Sequence, residues 1–252
     1  MSRSRNLLVT ADGDLVVERD PDRHSGRMLR QQDMEASYVD LADPRHLEFD
    51  YLRWARLVLR TFGARYVLHV GGAACTLARA LLAEDSDSRQ DVYELDERVL
   101  EIARKHLGLR RQPGLKVRVG DGRAAIAERR PQSADAIFID AFIGARVPEH
   151  LVTVEALHDC ARVAPLTLVN VVDIAGLADT RAVTAGLAEA YPHVGALCAG
   201  ARRGGNVIAF GSATAPDHRR LEATAAADPA PARLLRSREL EGVGGLRDQT
   251  AA

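Results

Sequence analysis

From Arg65 onward, short apolar runs alternate with stretches of helical spacing, and this alternation constrains the fold more than any other feature. Strand-like runs separated by helices of roughly 9 to 14 residues predict βαβ units and a parallel sheet covered on both faces. The predicted strands are residues 66–70, 91–95, 115–119, 136–140 and 166–172. The predicted helices between them are residues 74–84, 96–107, 122–130 and 150–163.

The flanking segments complete an α/β fold of three regions. Residues 1–48 carry β-prone runs broken by turn formers, which predict a small antiparallel hairpin or meander. Residues 49–212 form the Rossmann-like domain. It opens with a helix from about residue 48 to 60, and after a helix near 176–190 the runs 194–197 and 206–210 close a mostly parallel, seven-stranded sheet. Residues 213–252 are predicted as a C-terminal helix near 216–227 and a loose tail.

Composition excludes several classes of function. The 252 residues contain 34 basic and 35 acidic side chains, so the chain lacks the positive charge that a nucleic-acid-binding protein needs. Three widely separated cysteines, without metal-ligand spacing, argue against a disulfide framework or a metal site. No stretch approaches the roughly 18 apolar residues of a membrane span. We therefore expect a cytoplasmic protein with no membrane, nucleic-acid or metal partner.

Two candidate ligand-binding features follow the first two parallel strands. Gly71 and Gly72 come directly after the first strand, where glycine lets the backbone approach a ligand and the next helix offers free N–H groups. A tight turn needed only for packing is an equal alternative for the glycines alone. Glu94 ends the second strand about 22 residues later. At this position Rossmann-like folds place a carboxylate that accepts hydrogen bonds from the ribose hydroxyls. A surface glutamate at a strand end is the simpler alternative.

Two further candidates follow the third and fourth strands. Asp121 and Gly122 lie between the third strand and a helix, so Asp121 is either a helix N-cap or a group that faces an adenine amino group, and the two roles are compatible. Asp140 ends the fourth strand after three apolar residues. A partly desolvated carboxylate at this edge is suited to deprotonating a nucleophile, and a turn cap is the simpler alternative.

These motifs, taken in order, resemble the spermidine synthase (polyamine aminopropyltransferase) family over roughly residues 30 to 212. The similar segments are 67–72 for the nucleoside loop, 92–96 for the ribose-binding strand end, 120–123 for the adenine side, and Asp140 for the catalytic aspartate. The resemblance implies decarboxylated S-adenosylmethionine, or S-adenosylmethionine itself, as the co-substrate. It also implies an amine acceptor contacted by Gln32, Tyr38 and Tyr51.

The chain departs from that family's pattern on the acceptor side. Ala74 and Ile143 stand where the family has aspartates, and Leu52 and Arg53 replace a His-Glu pair. Each change removes negative charge or a polar contact from the expected diamine site, so we expect putrescine to be a poor acceptor.

The departures leave three functions open. The first is a spermidine-synthase-like transferase acting on a small-molecule acceptor, with aminopropyl transfer to an amine if the family's chemistry is retained. The second is an S-adenosylmethionine-dependent methyltransferase of another small molecule. The third is a catalytically silent binding or oligomeric homologue, since the N-terminal β-region could pair across subunits in a homodimer.

Overall fold

The computed structural model describes residues 8–173, 176–200, 204–242 and 244–248. The N-terminal region is a four-stranded antiparallel meander in which each strand pairs with the next along the chain. This confirms the small N-terminal β-region that the sequence predicts, of which residues 1–7 lie outside the described residues. Its strands are β1 (Leu8–Asp12), β2 (Leu15–Arg19), β3 (Gly26–Gln31) and β4 (Met34–Asp40).

The second sheet has the order β12-β10-β11-β9-β8-β5-β6-β7. The pairs among β9, β8, β5, β6 and β7 are parallel, and those of β11 with β9, β10 with β11 and β12 with β10 are antiparallel. The predicted Rossmann-like fold is confirmed. The strands are β5 (Tyr66–Val70), β6 (Arg89–Glu94), β7 (Leu115–Val119), β8 (Ala136–Ile139), β9 (Leu166–Asp173), β10 (His193–Ala199), β11 (Gly205–Ser212) and β12 (Ala232–Arg236).

Helices cover both faces of this sheet because its strands alternate between two apolar cores. Val67 and Phe138 point into one core with α1, α2 and α7, whereas Leu68 and Ile137 point into the other with α4, α5 and α6. The helices are α1 (Asp50–Thr61), α2 (Thr76–Glu84), α3 (Glu97–His106), α4 (Gly122–Ala127), α5 (Val154–Val163), α6 (Ala178–Ala190), α7 (His218–Ala227) and α8 (Ser237–Leu240). Within the described residues, no helix combines the length and apolarity needed to cross a bilayer.

The predicted strand number and C-terminal region need correction. The sheet has eight strands rather than seven, because β12 adds to β10 at the edge. The helix predicted near residues 216–227 is present as α7. Beyond it, Leu235 of β12 is fully buried and residues 244–248 contact the domain, so the described residues that follow α7 are packed rather than loose. The sequence signal was weak because a five-residue strand, Ala-Arg-Leu-Leu-Arg, lies among alanine, proline and arginine. Its stability comes from the pairing with β10.

The N-terminal meander shares a hydrophobic core with the main domain. Leu15, Leu29 and Val39 pack with residues of α2 and α3. A buried hydroxyl pair adds a polar connection, since the oxygens of Ser37 and Thr76 lie 3.1 Å apart and Thr76 donates to the backbone of β4. These contacts fix the β3–β4 hairpin above the carboxyl end of the large sheet.

A buried carboxylate lies on the face of β6 outside the apolar cores. Asp91 is 1 % exposed, and its Oδ2 accepts hydrogen bonds from Arg129 at 2.7 Å and from the Tyr66 hydroxyl at 3.1 Å. Burial acts to raise the pKa of Asp91, but the hydrogen bond and charge of Arg129, helped by Tyr66 and Arg118, hold it below its usual value. Arg118 is 46 % exposed and lies 3.4 Å from the same oxygen.

Arg129→Met should lower the free energy of unfolding by about 3 kcal/mol, because it leaves the Asp91 carboxylate buried without its main partner. Arg118→Met is the matched control and should cost less than about 1 kcal/mol, since its guanidinium is half-exposed. Urea unfolding at pH 7 measures both. Equal losses for the two variants would contradict the assigned role of Arg129.

Candidate active site

A cleft of about 1190 Å³ runs along the carboxyl edge of the large sheet. Parallel strands that end at one edge bring residues far apart in sequence together there. The predicted residues that line the cleft are Gly71, Gly72, Glu94, Asp121, Gly122, Asp140, Gln32 and Tyr51. Tyr38 is the predicted site residue that does not line it.

The glycine turn after β5 passes directly beside the backbone of Asp140. Gly71 has a φ of +74°, and a Cβ at this position would collide with the carbonyl oxygen of Asp140. Any other residue would therefore be strained in conformation and would push the two strand ends apart. This close approach packs the glycine turn against the backbone of the residue that carries the candidate catalytic carboxylate.

Glu94, at the end of the neighbouring strand β6, forms hydrogen bonds with the same turn. Its Oε2 accepts hydrogen bonds from the backbone N–H groups of Gly72 at 3.1 Å and Ala73 at 3.0 Å, and its Oε1 accepts from Asp96 at 3.1 Å. Ala73 and Cys75 hold φ values of +41° and +59°, which L-residues rarely adopt. Glu94 therefore stabilises a strained turn, and its oxygens retain lone pairs that face the cleft.

Asp121 is the N-cap of α4, since its Oδ1 accepts a hydrogen bond from Ala124 N at 2.8 Å. Its second oxygen, Oδ2, lies 3.4 Å from Nε2 of His150, and both residues line the cleft. The helix can begin this close to β5 because Gly122 lies against Val70, where a Cβ would collide. The capping role considered from the sequence is observed, and it leaves one oxygen available on the cleft side.

Asp140 is held by donors on two other elements. Its Oδ1 accepts from the amide of Asn170 at 2.8 Å, and its Oδ2 accepts from the hydroxyl of Tyr51 at 3.4 Å. Burial raises the pKa of Asp140 to about 6, although both hydrogen bonds favour the charged form. Burial and the charge of Asp140 also raise the pKa of Tyr51 well above its ordinary value, so the phenol stays a donor.

The sequence analysis did not identify the two hydrogen-bonded amides, Asn170 and Asn206, that lie next to Asp140. Asn206 on β11 donates to the oxygen of Asn170 at 3.1 Å, which orients the Asn170 amide toward the carboxylate. Asn170 is 1 % exposed in the middle of β9. The available signal was one polar residue inside an apolar run, Leu-Val-Asn-Val-Val, where an unpaired amide would be costly.

The cleft is acidic along the part of its lining that the structure describes. Seven carboxylates line it, against one arginine, Arg233, which pairs with Glu239 at 2.7 Å. The buried imidazole of His69 also lines it; burial lowers its pKa to about 4, with the hydrogen bond to Gln90 opposing this, so the ring is neutral at pH 7. The carboxylates are Glu35, Glu48, Asp50, Glu94, Asp121, Asp140 and Asp173.

Comparison with known proteins relates the chain to polyamine aminopropyltransferases and spermidine synthases. No family model matches the chain. A polyamine aminopropyltransferase of Vibrio vulnificus is 32 % identical over 126 residues, which cover 48 % of this chain and 42 % of that protein. The chain thus spans less than half the length of this curated relative.

A solved structure extends the relationship to nearly the whole chain. A probable spermidine synthase from Corynebacterium glutamicum is 28 % identical, with a TM-score of 0.84 and coverage of 96 % of both chains. The chain is therefore similar to spermidine synthases in both sequence and fold. The fold alone is shared more widely: human methyltransferase-like protein 13, solved in complex with SAH, is 22 % identical with a TM-score of 0.54, covering 79 % of this chain and 91 % of that one.

The three acceptor residues implied by the family resemblance occupy different environments. Tyr51 contacts Asp140 inside the cleft, and Gln32 is exposed at the tip of the β3–β4 hairpin on the cleft rim. Tyr38 does not line the cleft, contrary to our expectation. Its hydroxyl donates to Asp20 at 2.6 Å, and its ring packs on His46. Strand alternation directs it away from the cleft, so it supports the N-terminal sheet.

The departures from the family pattern also have distinct surroundings in the spermidine-synthase-like fold. Ala74 is fully buried under the glycine turn, and Leu52 is buried in the cleft wall. Arg53 turns away and pairs with Asp228 at 2.8 Å. Ile143 is 73 % exposed in the turn that follows Asp140, at the rim of the cleft. Among the described residues, no group of three or more His, Cys, Asp or Glu side chains could hold a metal ion.

Asp140→Asn should stabilise the folded protein by up to about 3 kcal/mol at pH 8 and have little effect at pH 4. The folded pKa of about 6 lies above the ordinary value of 3.8, so folding disfavours the ionised form. Stability is therefore lost as the pH rises between these two values, and the neutral amide avoids that loss.

Urea unfolding at pH 4, 6 and 8 measures this difference. Glu101→Gln, which changes an exposed carboxyl on α3, serves as the control and should show no such trend. A stability difference for Asp140→Asn that is constant across this range would show that the Asp140 carboxyl titrates normally in the fold.

Proposed function

We propose that the protein is a transferase that moves the aminopropyl group of decarboxylated S-adenosylmethionine to a small amine. The observation that carries the proposal is the juxtaposition of Asp140, Tyr51 and Asn170 with the glycine turn at Gly71. A nucleoside seated on the turn would have its sulfonium beside a carboxylate whose pKa is raised to about 6. The names of the aminopropyltransferase and spermidine synthase relatives agree with this reaction.

The nucleoside half of the site fits an adenosine. Glu94 has lone pairs left for ribose hydroxyls, and Asp121 has Oδ2 left for an adenine amino group. Gly71, Gly72 and Gly122 let the turn and the start of α4 pack closely against Asp140, Val92 and Val70, where a Cβ would collide. The cleft volume of about 1190 Å³ leaves room for an acceptor beyond the nucleoside.

The charge of the lining favours cationic reactants. A sulfonium and a protonated amine each gain Coulomb energy near carboxylates, and the effect is larger in a partly desolvated cleft. Asp140 would face both at once, since its backbone packs against the glycine turn and its carboxylate accepts a hydrogen bond from Tyr51. We therefore propose an amine acceptor, with Gln32 and Tyr51 near it and Tyr38 acting only through the N-terminal sheet.

Asp140 would take the proton that the acceptor must lose. The amine nitrogen forms a bond to the aminopropyl carbon, the carbon–sulfur bond breaks, methylthioadenosine leaves, and the amine proton passes to the carboxylate. A primary amine with a pKa near 10.4 lies roughly 6 to 7 units above an ordinary aspartate. With the pKa of Asp140 at about 6, the gap shrinks by about 2 units, so the proton transfer is less unfavourable.

Methyl transfer from S-adenosylmethionine is the second candidate. It is favoured by the loss of acceptor-side carboxylates, since Ala74 is buried and Ile143 projects from the rim. A catalytically silent homologue is the third possibility and predicts nucleoside binding without turnover. We also propose that the protein works in the cytoplasm, where its three buried cysteines stay reduced, and that it forms a homodimer without nucleic-acid partners.

Glu94→Ala should weaken methylthioadenosine binding by about 2–3 kcal/mol, because two charge-assisted hydrogen bonds to the ribose are lost. Isothermal calorimetry on the folded variant measures this, with Glu101→Ala of α3 as the control. Unchanged affinity in a folded Glu94→Ala protein would contradict the ribose-binding assignment.

Asp140→Asn should slow single-turnover transfer by about 10²–10⁴-fold and change methylthioadenosine affinity far less. The assay supplies decarboxylated S-adenosylmethionine or S-adenosylmethionine, each labelled on the transferable group, with a panel of amines that includes putrescine. Aminopropylated product identifies the first candidate, and methylated product identifies the second. A variant that retained more than about a tenth of the wild-type rate would assign the chemistry to other residues.

A further inference from the structure

Residues 244–248, here called the strap, cross the outside of the domain and end beside the adenine-side turn. Gly245 lies against Gly186 of α6, where a Cβ on Gly245 would lie 2.7 Å from the Gly186 Cα. The carbonyl of Leu246 accepts a hydrogen bond of 2.7 Å from Val154, the first residue of α5. The strap therefore follows a defined path over two helices.

The end of the strap holds an arginine of α4. Asp248 receives a two-pronged ion pair from Arg123, whose Nη1 lies 2.7 Å from Oδ1 and whose Nη2 contacts Oδ2. The same Nη1 donates to the carbonyl of His150 at 2.9 Å. The ring of His150 is in turn 3.4 Å from Asp121 Oδ2, and both residues line the cleft. A continuous chain of contacts thus joins the strap to the adenine side of the cleft.

We propose that Asp248 is a positioning residue that sets the affinity and base selectivity of the nucleoside site by fixing Arg123, His150 and Asp121. This inference rests on the proposed nucleoside function. Arg123 follows Asp121 by two residues and lies in the first turn of α4, so restraining its guanidinium restrains the turn itself. A binding group must be held closely in place by its supporting contacts to recognise a ligand, and here those contacts come from the strap.

The strap is anchored independently of Arg123, so it can act as a fixed support. Arg247 pairs with Glu189 of α6 at 2.6 Å, and the N–H of Asp248 donates to Glu155 of α5 at 2.9 Å. Arg123 and Thr153 lower the pKa of Asp248 to about 2, so its carboxylate stays charged across the physiological range.

The test compares Asp248→Ala with Asp85→Ala, each in the full-length protein. Asp85 also receives a two-pronged pair from an arginine, Arg65, at 2.8 and 3.2 Å, but it lies where α2 ends, away from the cleft. Calorimetry measures binding of methylthioadenosine and of its analogue with oxygen in place of the adenine amino group. Hydrogen exchange measures protection of the backbone amides of α4.

Asp248→Ala should weaken methylthioadenosine binding about three- to tenfold, lower the preference for the amino-bearing base by a similar factor, and speed exchange in α4. Asp85→Ala should change none of these by more than about twofold. If the two variants behave alike, or if Asp248→Ala weakens both nucleosides equally, the proposal is overturned. A wild-type protein that binds neither nucleoside refutes the proposed function instead, and α4 exchange still reports whether the strap supports the turn.

Discussion

The close approach of Gly71 to the backbone of Asp140 is the constraint on which the site depends. It is possible because β5 and β8 are adjacent parallel strands, and because a residue without a Cβ adopts a φ of +74° at the point of contact. The glycine turn after β5 and the residue that follows β8 then lie against each other at the edge of the cleft. Every other group described in the cleft is placed relative to that contact, from Glu94 on the next strand to Tyr51 on α1.

The cleft concentrates unfavourable charge, and the surrounding structure offsets it with hydrogen bonds. Asn170 and Tyr51 donate hydrogen bonds that stabilise the ionised form of the partly buried Asp140. Asn206, on the neighbouring strand, orients Asn170. Glu94 likewise holds backbone N–H groups of the strained turn. Burial of the Asp140 carboxylate costs stability when the group is ionised, which is a common relation between stability and a candidate functional site.

The sequence predicted the strand ends well because they depend on local pattern. Gly71, Glu94, Asp121 and Asp140 each follow an apolar run, and parallel strands necessarily bring such positions to one edge. Tyr38 was placed wrongly because its environment depends on a partner, Asp20, that is 18 residues away on the meander. The strand β12 was missed because its pairing with β10, rather than its own composition, stabilises it.

The sequence by itself determined the alternation of strands and helices, the order of the candidate groups along the chain and the balance of charge. These follow from periodicity and residue chemistry, which act over a few neighbouring positions. Only the tertiary structure decided that Asn170 and Asn206 stand behind Asp140, that the pKa of that carboxyl rises to about 6, and that Asp248 reaches Arg123 across 125 residues. Burial and long-range contacts produce these features, and neither is encoded in any short stretch of sequence.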